Sequence, residues 1–292
     1  MPDLQLYTLK SSVDGGHGLF AQATIKAGAR IIQEQPVLML SKEEIKTRSE
    51  EKWVMTEMGQ LPTEAQSEIM GLYHNPKKLQ DFKSYHHQKC PGTDWDAGLV
   101  LAKFYTNAAS ISGGLKVGLF TTFCRMNHSC MPNTCWVYDE VTGMEVYAVR
   151  DIREGEEITD SYTEVARSRE ARAKELANWG FRCQCTACEG PEAEVIDVRR
   201  RRVAQIRELL ELYNRKDEKP VFSEVPKTDL EALKLAEESV SLLSLENLVE
   251  ELGAAHGWCA KFARRAGLKD VKEFHEEKEY QILVLTTGES EC

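Results

Sequence analysis

The sequence predicts an α+β fold, with short strands in small sheets, a helical insert, a cysteine cluster and an all-helical C-terminal region. Three observations carry this reading. Strand-like runs gather in two stretches, roughly 4–40 and 117–162, while helix signals fill the segment between them and everything beyond Gly190. Three cysteines crowd into residues 183–188, at the junction with the helical tail. Strand and helix do not alternate as they would in a doubly wound sheet, which argues against a Rossmann-type enzyme despite the early glycines.

Residues 4–9 alternate and read as a strand, followed by the glycine-rich turn Asp14-Gly15-Gly16-His17-Gly18. Residues 30–40 read as strand interrupted by Pro36. Ser41-Lys-Glu-Glu44 and Thr63-Glu-Ala-Gln66 have the form of capping boxes, so 41–88 should hold two or three short helices. Asp94 to Ala109 reads as a longer apolar helix, and 117–149 returns to strands. Cys135-Trp-Val-Tyr-Asp and Met144-Glu-Val-Tyr-Ala-Val flank Val141-Thr142-Gly143 as a hairpin would. Residues 167–179 predict a charged amphipathic helix, and Gly190-Pro191 a boundary. Val203, Ile206, Leu209, Leu210 and Tyr213 fall at helix spacing between Val198 and Asn214. Thr228-Asp-Leu-Glu231 opens a further helix, and 245–286 predict two or three more, with a hint of helical-repeat packing.

Composition narrows the function. The chain of 292 residues is 29% charged and 42% hydrophobic, as a soluble globular protein would be, with net charge −10. An acidic chain without a basic half is a poor non-specific nucleic-acid binder and electrostatically welcomes a basic substrate. The longest apolar candidate, Gly98 to Phe123, is broken by Lys103 and Lys116, so no membrane span is expected. The first residues lack the basic and apolar parts of a secretory signal. Nine cysteines in that context predict reduced thiols and metal binding rather than disulfides.

Four segments carry chemistry. Cys183-x-Cys185-x-x-Cys188 places three thiolates close enough for tetrahedral zinc and leaves a fourth ligand to be found among Cys90, Cys124, Cys130, Cys135 and seven histidines. Asn127-His128-Ser129-Cys130-Met131-Pro132-Asn133 is a compact polar segment between apolar strands, able to bond a ligand or simply to form a loop. Gly155-Glu156-Glu157-Ile158-Thr159-Asp160-Ser161-Tyr162 is an acidic turn leading into a strand that ends at tyrosine. Gly16-His17-Gly18-Leu19 lets a ligand approach the backbone but lacks the spacing of a dinucleotide fingerprint.

In this order the four segments resemble the SET-domain protein lysine methyltransferases, over residues 4–40 and about 97–189. The resemblance is closest to the SET and MYND domain-containing branch and to fungal SET-domain relatives lacking the MYND finger. It implies a SET domain over 1–189, made of a core at 4–40 and 97–180, a helical insert at 41–96 and a post-SET zinc segment at 181–189, followed by a helical domain at 190–292. It implies transfer of a methyl group from S-adenosylmethionine to a lysine amine of a protein, a histone among the candidates, in nucleus or cytoplasm. Gly16, His17, Gly18 and Leu19 would lie against the cofactor, Asn127 and His128 would hold it, Asn107 would contact it, and Phe181 would stack on its adenine. Tyr162 would be the catalytic tyrosine at the methyl-transfer channel and part of the cofactor site. Cys130 would complete one structural zinc ion with Cys183, Cys185 and Cys188. The partner implied is a basic, lysine-bearing protein or peptide, not nucleic acid or a membrane. Phe120, Phe123, Tyr105 and Trp136 are candidate channel walls, with ordinary core as the competing reading.

The pattern departs from the family in two places. Trp179 stands where a second channel tyrosine is common, and the insert holds too few ligands for a MYND finger, with one cysteine (Cys90) and the histidines His74, His86 and His87. His86, His87 and Cys90 form a minor metal candidate. Arg199-Arg-Arg-Arg202 reads as a solvated helix face rather than a nuclear localisation signal. Cys124, Cys135, Cys259 and Cys292 read as buried or free thiols. Two alternatives to protein-lysine methylation stand beside it, a SET scaffold turned to a small molecule and a non-catalytic interaction module.

Overall fold

The computed structural model describes residues 5–12, 16–85, 95–215 and 224–288. Three small sheets form the strand-bearing half. In the first, β1 (Tyr7–Ser11) pairs antiparallel with β2 (His17–Ala21), and in the other two β3 (Arg30–Glu34) and β4 (Leu38–Ser41) take edge positions. The predicted 30–40 strand therefore becomes two strands in different sheets, separated around Pro36, which has no N–H to continue a ladder. β5 (Ala109–Ile111) and β6 (Lys116–Leu119) join β4 in the order β4-β6-β5. β7 (Asn127–His128), β8 (Thr134–Asp139), β9 (Gly143–Ala148) and β10 (Glu157–Asp160) complete the set, giving β1-β2-β10-β7 and β3-β9-β8. The predicted hairpin is β8–β9, with Cys135 opposite Tyr147 and Asp139 opposite Gly143.

The insert carries α1 (Lys42–Thr47), α2 (Glu50–Gln60), α3 (Thr63–Met70) and α4 (Pro76–Asp81), one more helix than the two or three expected. The Ser41 capping box is complete, its side chain bonding Glu44 N while the Glu44 carboxylate accepts from Ser41 N. The Thr63 box does not form. Pro62 occupies the N-cap position without a side-chain bond, and Thr63 lies one residue inside the helix. The Gln66 amide turns back instead to donate to the Met58 and Leu61 carbonyls that end α2. Helix α5 (Ala97–Asn107), capped by Asp96 bonding Leu99 N, packs Val100, Leu101 and Phe104 against Trp53, Val54 and Leu72 of the insert.

Beyond the strands come α6 (Arg169–Leu176), α7 (Thr186–Glu189), α8 (Ala193–Arg215), α9 (Asp229–Ser244), α10 (Val249–Arg265) and α11 (Lys269–Thr287). Helices α8 to α11 pack each on its neighbour in sequence. Their shared core holds Ile206, Leu210, Leu233, Ala236, Cys259 and Phe262. The Thr228 hydroxyl caps α9 by accepting from Glu231 N, while the Glu231 carboxylate accepts from Lys227 N, one residue outside a true box. The end of α11 rests on the β3-β9-β8 sheet, where Cys135 Sγ approaches the Thr286 carbonyl at 3.4 Å. No helix among the described residues is long and apolar enough to cross a membrane.

Candidate active site and cysteine centre

The glycine turn enters the site along β2. Gly16 has φ +95, a left-handed conformation that side chains disfavour. Gly18 has a different constraint: a Cβ there would stand 2.1 Å from Glu157 Oε1 and 2.7 Å from Asn127 Nδ2. Asn127 Nδ2 bonds Glu157 Oε1 at 2.6 Å and the His17 carbonyl at 3.3 Å, while Ser12 Oγ donates to the other Glu157 oxygen. The turn, β7 and β10 are thus joined around one carboxylate. His17 itself is exposed, and Leu19 is buried in the strand core.

β7 and β10 run parallel, and the chain continues the pairing through Ser129 N to the Asp160 carbonyl at 2.8 Å. Asn133 supports both segments, donating to the Glu157 carbonyl and accepting from Thr159 N, each at 2.8 Å. His128 Nδ1 accepts from Tyr162 N at 3.0 Å, so the ring proton belongs on Nε2, which faces Cys130 Sγ at 3.2 Å. Burial lowers the His128 pKa to about 4, so the imidazole is neutral. The Tyr162 hydroxyl donates to the Met126 carbonyl at 2.5 Å, and burial pushes its pKa up, so the phenol keeps its proton. Burial also raises the Asp160 carboxyl to about 7, against opposing hydrogen bonds from Ser161 and Trp136.

Aromatic rings close this region. Tyr162 lies 5.4 Å from the His128 ring, 5.5 Å from Trp179 and 6.2 Å from Phe181, and Phe181 lies 6.0 Å from His128. Phe181 is 39% exposed, so part of its ring is open beside the half-buried His128 and Tyr162. The structure therefore brings Gly16, His17, Gly18 and Leu19 together with Asn127, His128, Tyr162 and Phe181. Asn107 stands at the end of α5, where its side-chain amide donates to the Tyr73 and Lys103 carbonyls. That corner touches the site from the other side, because Asn75 donates to the Asn178 carbonyl, beside Trp179.

Of the candidate channel walls, Phe123 and Trp136 meet edge to face at 5.7 Å, while Phe120 is fully buried core. Tyr105 is not at the channel. It stacks on Phe82 at 5.4 Å and bonds Glu50, inside the insert core.

Four cysteine sulfurs, those of Cys130, Cys183, Cys185 and Cys188, lie within 4.8 Å of one another. Cys130 Sγ is 3.9 Å from that of Cys183 and 3.6 Å from that of Cys188. Zn–S bonds of about 2.3 Å at a tetrahedral centre separate sulfurs by about 3.8 Å, so the donor set and spacing fit zinc. Hydrogen bonds among the four thiols push Cys130 and Cys183 up and pull Cys185 and Cys188 down. Cys124, Cys135 and Cys259 lie outside this centre as free thiols, all pushed up by burial. Cys90, His86, His87 and Cys292 lie outside the described residues.

Sequence reasoning missed the charged groups behind the cysteines. Arg172, within the predicted amphipathic helix, is wholly buried and directs Nε at Cys130 Sγ, 3.2 Å away. Arg200 corrects the reading of Arg199–Arg202 as a solvated face: it is 0% exposed and donates to the Cys130 and Val165 carbonyls at 2.8 and 3.0 Å. Glu246, also buried, contacts Arg199 at 2.7 Å and Arg200 at 3.2 Å. The signal was present in the helix period: Ile196, Arg200, Val203 and Leu210 share one buried stripe. Arg201 and Arg202 do remain at the surface side of α8, paired with Asp197 and Glu238.

Comparison with known proteins agrees with this architecture. The SET domain family model matches residues 16–163, just over half of the chain. Histone-lysine N-methyltransferase set5 of Schizosaccharomyces pombe is 30% identical over 211 residues, covering 69% of this chain and 57% of that protein. Histone-lysine N-methyltransferase SET5 of Scheffersomyces stipitis is 45% identical over 74 residues, covering 24% of this chain and 16% of that one. The chain thus spans little more than half of the first relative and a small part of the second. A solved structure of Rubisco LSMT bound to AdoMet aligns over 97% of this chain and 89% of its own at 12% identity, with a TM-score of 0.36, too loose for residue-by-residue argument. On the family match, and with its small sheets, polar β7–β10 crossing and clustered cysteines as described, the chain belongs to the SET-domain family.

Proposed function

We propose that the chain is an S-adenosylmethionine-dependent methyltransferase acting on a lysine side-chain amine of a protein. The observation that carries this reading is the convergence of the glycine turn, Asn127, His128, Tyr162 and exposed Phe181 on one locus, with four cysteines behind it. The names of the fungal relatives support a histone as the substrate and the nucleus as the place of action. The acidic chain suits a basic partner.

S-adenosylmethionine, when bound, supplies an electrophilic methyl on a sulfonium. The Gly16–Leu19 backbone would lie along it, Asn127 and His128 would hold its polar parts, and Phe181 would cover its adenine. Asn107, whose amide nitrogen donates to the Tyr73 and Lys103 carbonyls, would contact it as well. A lysine amine is almost fully protonated near neutrality and must lose a proton before it can attack. Walls built from Tyr162 and Trp179, whose rings lie 5.5 Å apart, would desolvate an ammonium and lower its pKa, its proton passing to solvent. Tyr162 is no base here, since its proton is held against the Met126 carbonyl. Its fixed oxygen would instead accept weak hydrogen bonds from a polarised methyl group supplied by the cofactor and help to align it. Zinc held by Cys130, Cys183, Cys185 and Cys188 would tie residues 181–189, and Phe181 with them, against His128.

The test begins with calorimetric titration of zinc-replete protein with S-adenosylmethionine, followed by transfer of labelled methyl to histones and lysine peptides. Micromolar binding, about −8 kcal/mol, that disappears in Asn127→Ala is expected. Tyr162→Phe should bind the cofactor normally and lose about a hundredfold in kcat. Well-folded protein that binds no cofactor would overturn the proposal. Binding with transfer only to small molecules would assign the site beside Trp179 to a different acceptor.

A further inference from the structure

Arg172 is a wholly buried cation beside the cysteine centre, with 0% of its surface exposed. Each nitrogen of its guanidinium has a partner: Nε points at Cys130 Sγ from 3.2 Å, one terminal nitrogen at Cys188 Sγ from 3.9 Å, and the other donates to the Arg167 carbonyl. Among the described residues it forms no ion pair with a carboxylate, whereas its buried neighbour Arg200 has Glu246. A buried guanidinium without a counter-charge is costly, so the negative charge must come from the sulfurs. Four thiolates around a divalent cation carry a net charge of −2, which also needs compensation away from water. The two requirements answer each other.

Cys130 Sγ also faces the Nε2–H of His128, whose other nitrogen receives Tyr162 N. One sulfur is therefore the common acceptor of a cation on α6 and of the imidazole that positions the tyrosine. We propose that Arg172 is a positioning residue that acts through the Cys130 thiolate, stabilising the metal-bound cysteine centre and thereby holding His128 and the Tyr162 backbone in place. The proposal rests on the reading of the centre as a zinc site, and the reading and the proposal fail differently.

Metal content of the purified full chain comes first, together with replacement by cobalt(II), whose thiolate charge-transfer band reports four sulfur ligands. Protein with neither zinc nor that band would overturn both the zinc reading and the proposal. With the band present, zinc affinity is measured by chelator competition for wild type, Arg172→Ala, Arg172→Lys and the surface control Arg201→Ala. Arg172→Ala is expected to lose about 10- to 100-fold in affinity, the range for groups that bond metal ligands. Arg172→Lys should recover part of the loss and Arg201→Ala should match wild type. Wild-type affinity in Arg172→Ala would overturn the proposal. Should Arg172→Ala not fold, the wild-type chain decides by nitrogen NMR of the His128 ring. An Nε2–H resonance protected from exchange with zinc and lost on chelation supports the link, and one indifferent to zinc overturns it.

Discussion

In the C-terminal stack the residues that pack together come from consecutive helices, Leu210 of α8 with Leu233 of α9 and Phe262 of α10. At the cysteine site the contacts that close it join distant segments: Cys130 meets Cys183, 53 residues on, and its carbonyl meets Arg200, 70 residues on. The stack is held by apolar area, a term that many side chains share and that falls away gradually when one is lost. The site is held by a few polar and charged contacts whose partners are buried, so removing one strands another. A single fold thus combines a tolerant half and a brittle one, and the brittle half carries the proposed chemistry.

The largest expected effect comes from the metal. Chelation of zinc, or Cys183→Ser, should abolish cofactor binding and lower the melting temperature of the strand-bearing half, because metal binding there is folding free energy. Helix content from α8 to α11 should persist, as read by circular dichroism. Loss of both halves in one transition would erase the contrast between them. Next comes Glu246→Ala, which leaves Arg199 and Arg200 facing each other without their carboxylate. It should cost about 3–5 kcal/mol in urea denaturation, more than truncating an aliphatic neighbour of the stack to the next smaller side chain. Gly18→Ala forces a methyl against Glu157 and Asn127 and should cost about 1–3 kcal/mol, with weaker cofactor binding in titration. The smallest effects separate two caps that look alike. Thr228→Ala should cost about 1 kcal/mol, whereas Thr63→Ala should stay within about 0.5 kcal/mol, since its hydroxyl caps nothing. Equal losses in the two would contradict the cap assignment.

Legibility followed the range of the interaction. The Ser41 box and the β8–β9 hairpin depend on residues a few positions apart, and both were readable. The Thr63 box failed because Pro62 took the cap and Gln66 found carbonyls of the preceding helix, a choice made between two helices rather than within one. Tyr105 reads as a candidate channel wall, with ordinary core as the competing reading, and α5 turns it into the insert core, toward Phe82 and Glu50. Arg200 sat in a run of four arginines and read as solvated, because composition does not show which of the four falls on the buried stripe.

The sequence by itself determined the α+β order, the three local thiol ligands at 183, 185 and 188, and the polar segment at 127–133. Each of these rests on spacing along the chain, which backbone geometry converts directly into proximity. Spacing left the fourth thiol open and the resemblance pointed to Cys130; tertiary structure brings its sulfur to the other three, and it alone showed that His128 bridges that sulfur to Tyr162 and that Arg172 and Arg200 lie buried behind it. Those contacts need chain segments tens of residues apart to meet in a site closed to water. There an unpaired charge is too costly to leave, and partners are chosen by burial rather than by order in the chain.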